Sequence, residues 1–145
     1  MAARLELRFE GIREDPPIRD KYDLLLRIEA RLVAEAGGVV LFDEPHFPIV
    51  ELASQLSQWI ASGAATDFNY ESMDAEEVIL WFRSSPGGWE VGSDWGTAIA
   101  QRGFERTDLI TAASEYVQAV PVRVQQQLRR DVSKLIKPSS DDSSR

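Results

Sequence analysis

The chain holds one histidine, no cysteine and 24 carboxylates, so any chemistry must start from acids. His46 sits in Asp43–Glu44–Pro45–His46. That grouping offers one imidazole and two carboxylates to a metal or to proton transfer. A metal would need further carboxylates from other loops. An Asp-Glu-x-His motif of the helicase kind needs a glycine-rich phosphate loop ending in Gly-Lys-Ser/Thr, and this sequence has none. His46 is therefore read as structural or simply exposed. No serine lies in Gly-x-Ser-x-Gly, and a Ser-His-Asp triad would have to use His46 without local support. Two converging acids can hydrolyse a glycosidic bond, but so many acids make any one pair unspecific. No catalytic residue, metal ligand or cofactor is assigned, and no enzyme is expected.

The acids are unevenly distributed. Net charge is −8, yet residues 35–94 carry one base, Arg83, against eleven acids. That segment is −10 and the remainder +2. Such a field repels nucleic acid and anionic lipid and attracts basic partners. The candidate binding residues are Asp43, Glu44, Asp67, Glu71, Asp74, Glu76, Glu77 and Asp94, with Trp95 as an aromatic anchor beside Asp94. Trp59, Trp81 and Trp89 are assigned to the core. Arg123, Arg129, Arg130, Lys134 and Lys137 are interspersed with acids and read as a solvated helix face, so no nucleic-acid partner is expected.

These side chains need a scaffold. Residues 48–63, PIVELASQLSQWIASG, place Ile49, Leu52, Ala53, Leu56, Trp59 and Ile60 on one helical face, with Glu51 on the other. Pro48 suits the first helical position and Gly63 the position past the end. Leu5, Leu7 and Phe9 alternate with charges as in a half-buried strand. Residues 11–20, with two prolines, read as a loop. Residues 22–34 fit both a strand and a helix; the following Gly37–Gly38 turn and Val39–Phe42 favour a strand in a hairpin. Asp43–Phe47 reads as a turn into the helix. Strands are expected over 67–72, 78–83 and 89–94, the last two joined at Pro86–Gly87–Gly88, with a short edge strand near 101–105. Thr107 or Asp108 would cap a long C-terminal helix, kinked or restarted at Pro121.

With 145 residues, 43% of them hydrophobic and 28% charged, one globular domain over 1–137 is expected, followed by a disordered polar tail, 138–145. The absence of cysteine fits a reducing cytoplasm, and no membrane span is indicated.

Three stretches, FDEPHFPIVELASQLSQWI (42–60), DFNYESMDAEEVILWF (67–82) and GGWEVGSDW (87–95), resemble small uncharacterised actinobacterial proteins with an FPxVELA helix and a GWxxGS hairpin. The order of strands, a helix after an acidic turn and further strands is loosely similar to immunity proteins of the WapI type, which neutralise polymorphic toxins. That resemblance implies a non-enzymatic inhibitor and carries no residue roles.

The expected fold is α+β: a mostly antiparallel sheet of five to six strands, one helix on a face and a long C-terminal helix covering an edge or end. Leu52, Leu56, Trp59, Phe68, Tyr70, Val78, Leu80, Phe82 and Val91 should be core. The leading functional expectation is an immunity-type protein that occludes a basic toxin domain with its acidic surface. The alternative is a homo-oligomeric scaffold or regulatory subunit, with a homodimer as one form, associating through the C-terminal helix by way of Val117, Val124 and Leu128. The third is a carboxylate-based hydrolase, which requires two acids in a cleft and one raised pKa.

Overall fold

The computed structural model describes residues 4–71, 80–93 and 100–137. The apolar stripe of residues 48–63 becomes helix α2, Ile49–Ala61, and Leu52, Ala53, Leu56 and Trp59 are buried along it. Pro48 is its N-cap, and Gly63 follows it at φ +94°, a left-handed position natural to glycine. Glu51, expected on the polar face, is instead 4% exposed.

Before α2 come β1 (Leu5–Glu14), α1 (Lys21–Arg27), β2 (Ile28–Ala36) and β3 (Val39–Pro48). The three strands form one antiparallel sheet in the order β1-β2-β3. Three local readings need correction here. Residues 22–34 divide into a helix and a strand. The Asp20 side chain caps α1 by accepting the Asp23 amide at 3.0 Å, and Asp23 is held by Arg19 and Arg27 at 3.0 and 3.3 Å. Asn, Asp and Ser side chains that bind the first-turn amides favour helix starts over strands. Residues 11–14 are strand rather than loop: a bulge between Glu10 and Arg13, with Gly11 at φ +69°, absorbs the extra length and lets Arg13 and Glu14 pair with Glu29 and Ile28. Asp43–Phe47 continues β3 along β2 through further bulges instead of turning.

After α2, β4 (Phe68–Asn69), β5 (Trp81–Ser85), β6 (Gly88–Gly92) and β7 (Gln101–Phe104) form a second antiparallel sheet in sequence order. The described residues thus hold seven strands in two sheets, where five to six in one were expected. β5 is interior, between β4 and β6, as its apolar run suggests. Gly88 is obligatory at its turn: φ is +129°, and a Cβ there would lie 2.9 Å from the Phe104 carbonyl oxygen. Trp59 of α2 enters the core of this second sheet, with ring centroids 5.9, 5.4 and 6.2 Å from Phe68, Phe82 and Trp89. Of the expected core, every member is buried except Val78, which lies outside the described residues.

Helix α3, Arg106–Leu128, begins at a capping box between Glu105 and Asp108 and runs unbroken through Pro121; α4 (Ser133–Ile136) follows. The N-cap is therefore Glu105, earlier than Thr107 or Asp108. Pro121 neither kinks the chain into two helices nor stops it, because flanking contacts hold α3 in place. The Tyr116 hydroxyl donates to the Ile49 carbonyl at 2.8 Å, the Tyr116 ring meets Phe9 edge-on at 5.4 Å, and Val120 and Val124 are wholly buried. Arg123 adds a 2.8 Å hydrogen bond to the Phe9 carbonyl. The stripe suggested as a dimer interface is thus spent within the chain: Val124 is buried, and Val117 and Leu128 pack on the core. The tail from residue 138 lies outside the described residues.

Two substitutions test this account of α3. Pro121→Ala restores an amide that can bond the Val117 carbonyl and should stabilise the fold by about 1–3 kcal/mol, read as a higher thermal midpoint. Tyr116→Phe should cost about 1–2 kcal/mol by denaturant titration, the worth of one buried hydrogen bond.

Candidate functional site

The two faces of the β1-β2-β3 sheet differ sharply. Leu5, Phe9, Ile28, Leu32 and Ala34 point inward and are buried beneath the helices. The alternate residues carry charge: Glu6, Arg8, Glu10 and Arg13 from β1, and Glu29, Arg31 and Glu35 from β2. From β3, Asp43 and His46 join them. Period-two alternation dictates this division, since each strand has one wet side.

Opposite charges face each other across the strands. Arg31 grips Asp43 with two hydrogen bonds, 2.9 and 2.7 Å, and reaches Glu10 at 3.4 Å. Arg8 binds Glu35, and Arg13 binds Glu29 at 3.1 Å. His46 lies with Nδ1 against the Arg13 guanidinium and 3.7 Å from Glu29. A guanidinium can only donate, so in that contact Nδ1 accepts. Each exposed pair adds little to stability, but a network holds the long side chains in fixed positions. Arg8, Glu10, Arg31, Val33, Val40 and Asp43 enclose a shallow recess of about 110 Å³. The hydrogen bonds and charge of Arg31 hold the Asp43 carboxyl below its usual range, and Asp43 raises the Arg31 guanidinium in return.

A second set of carboxylates is different. None of the ion pairs among the described residues includes Glu44, Asp67 or Glu71. Asp67 is exposed and accepts the Ser84 amide and hydroxyl at 2.9 and 3.2 Å. The backbone of Glu71 is clamped on both sides by the Gln55 side chain of α2, at 2.8 and 3.0 Å, and Glu71 is exposed. Of the residues predicted for binding, Asp43 lies on the open sheet face, whereas Glu71 lies beside α2, which packs on the opposite face. These two are not brought together. Asp74, Glu76, Glu77, Asp94 and Trp95 lie outside the described residues.

Sequence reasoning missed the arginines. Arg8, Arg13 and Arg31 organise the open face, and their signal was present in the alternation of charge along residues 4–14 and 27–35. It also missed the pair in the core. The Tyr70 hydroxyl donates to Glu51 at 2.5 Å, and Tyr70 stacks at 4.9 Å on Phe47. Glu51 stands in the first turn of α2, where the helix dipole favours an anion.

Among the described residues, the carboxyls of Glu14, Asp23, Asp43 and Asp131 are held low by bases or hydrogen-bond donors. That direction favours the charged form and is opposite to what a general acid needs. Among the described residues no three histidines or acids converge on a metal position, and no helix is long and apolar enough to cross a membrane.

Two antiparallel sheets around one central helix, with charged side chains as the exposed chemistry, define a two-sheet α+β protein. The chain belongs to the family described as a domain of unknown function, DUF7878, whose profile matches residues 5–126, from the start of β1 into the last turn of α3. No curated protein and no solved structure matches it.

Because Asp43 titrates low when folded, its pairing stabilises the protein above the ordinary aspartate pKa of about 3.9. That stability is lost as pH falls through the lowered folded value. In Arg31→Gln, the Asp43 carboxyl should titrate at higher pH by NMR, and the loss of stability as pH falls below the ordinary aspartate pKa should become shallower.

Proposed function

We propose that this is a non-enzymatic binding protein of the immunity type, which acts in the cytoplasm and occludes a basic protein partner such as a toxin domain. The observation that carries the reading is where ion pairing stops. Within the acidic segment, Glu35, Asp43 and Glu90 are matched by Arg8, Arg31 and Arg102. Glu44, Asp67 and Glu71 are not, and the next acids in sequence are Asp74, Glu76 and Glu77. Uncompensated carboxylates keep their field and their hydration for a partner that brings its own cations. Asp43, already satisfied by Arg31, contributes less.

The mechanism is steric occlusion guided by charge. Complementary fields speed encounter and weaken in salt, while tight contacts set the lifetime of the complex. Trp95, beside Asp94, supplies the apolar anchor of such an interface.

The double variant Asp67→Lys, Glu71→Lys should slow association with the basic partner by about tenfold or more at low salt, with little difference from wild type at high salt. Both rates come from surface-based kinetics on the purified pair. An unchanged low-salt rate would remove this surface from the proposal. Co-expression separates immunity from mere binding: the wild-type chain should restore growth to cells making the toxin domain, and the double variant should do so less well.

A further inference from the structure

Ser57 is buried without a reason inside the chain. The residue is 8% exposed, yet its hydroxyl makes no hydrogen bond with any described residue. It lines a groove of about 240 Å³ between α2 and α3, with Ile60 and Ala61 from its own helix and Ser114, Val117 and Gln118 from the other. Ser114 and Gln118 likewise have no hydrogen-bond partner among the described residues. A hydroxyl withdrawn from water without a partner is costly, so such groups are ordinarily satisfied. The groove is also free of charge. α2 has one charged side chain, Glu51, and it is buried. From Thr111 to Val122, α3 has one, Glu115, which binds Arg4 and lines the cleft beside β1 instead. On a chain that is 28% charged, this surface has the composition of an interface core, where charge is depleted. Ile110 and Val122 lie one turn before Ser114 and one turn after Gln118, on the same side of α3, and Val122 is 54% exposed. Val117 packs on the core and also walls this groove, whereas Val124 and Leu128 do not line it.

We propose that this groove is an interface between two copies of the chain, joined about a two-fold axis so that Gln118 of each copy enters the Ser57–Ser114 groove of the other. The surface carries both halves of that contact. A carboxamide donates and accepts, so one Gln118 side chain satisfies the Ser57 and Ser114 hydroxyls facing it. Ile60, Val117 and Val122 supply the apolar contact around it. Ala61, Ser57 and Ser114 are small, and small side chains at a helix contact let the axes approach closely. The result is a four-helix arrangement made of α2 and α3 from each copy. Charge selects the occupant. Each chain carries −8, so two copies repel wherever their acids meet, and an uncharged face is where they approach at least cost. A basic partner gains nothing from this face, because it offers no carboxylate. The interface is isologous, and the two-fold closes it.

Sedimentation equilibrium of the full wild-type chain should give twice the 16.3 kDa chain mass at high micromolar concentration. Raising the salt should leave that association unchanged or strengthen it, because no charge pair is made and the repulsion between acidic chains is screened. Gln118→Glu changes one exposed side chain without changing its size. It brings a carboxylate into each groove and should weaken self-association by about tenfold or more. Ser57→Ala removes the buried hydroxyl and should weaken it by about fivefold, the worth of one hydrogen bond. A hydroxyl with only a packing role inside the monomer would leave the association constant where it was. Circular dichroism checks that each variant is folded. A wild-type chain that stays monomeric at high micromolar concentration overturns the proposal, as would be seen if a helix of another protein were the true occupant. Self-association that weakens as salt rises, or that both folded variants leave unchanged, places the contact elsewhere and also overturns it.

Discussion

Burial of α2 on almost every side is the constraint on which the rest of the structure depends. The helix meets β2 of the first sheet, inserts Trp59 among Phe68, Phe82 and Trp89 of the second, and is flanked by α1, α3 and α4. Each fully buried apolar side chain contributes about 1.5–3 kcal/mol, so the helix that shares its contacts among all layers dominates the balance against chain entropy. It also explains why Glu51 and Ser57 are buried although the sequence places them off the apolar stripe. A helix enclosed in this way keeps only a narrow wet stripe, through Ser54, Gln58 and Ala61. The cost of burying Glu51 is offset by the Tyr70 hydroxyl and by the start of the helix.

With the interior so committed, the surface chemistry is electrostatic. The segment 35–94 reads as a block of negative charge, but the fold folds the bases of other segments back onto it. Arg8 reaches Glu35, Arg31 reaches Asp43 and Arg102 reaches Glu90. Among the described acids of that segment, these three are therefore cancelled at short range, whereas Glu44, Asp67 and Glu71 are not. The unmatched acids that remain are fewer, and Glu71 is separated from Asp43 by the sheet and α2.

Several elements were legible because one periodicity dominated them. Ile49 to Ile60 repeat with helical spacing, Leu5 to Phe9 alternate cleanly, and Pro86–Gly87–Gly88 can only turn. Other stretches carried two competing signals. Leu24, Leu25, Leu26 and Ile28 satisfy both a helix and a strand, and the decision fell to the Asp20 cap and the arginines around Asp23. At Asp43–Phe47, proline and two acids argued for a turn; pairing with β2 on one side overrode them, because an outer strand tolerates Pro45. Pro121 shows the same override. Losing one helical hydrogen bond is a small penalty beside the packing of Tyr116, Val120 and Val124.

The sequence by itself determined the fold class, the central helix, most of the core and the existence of a charge imbalance, since these follow from local periodicity and composition. Only the tertiary structure decided that the strands divide into two sheets, that the arginines of β1 and β2 neutralise Glu35 and Asp43, and that Glu51 lies inside. Those outcomes depend on which distant residues become neighbours. Coulomb attraction and burial act over a few ångströms in space, and no pattern along the chain records that distance.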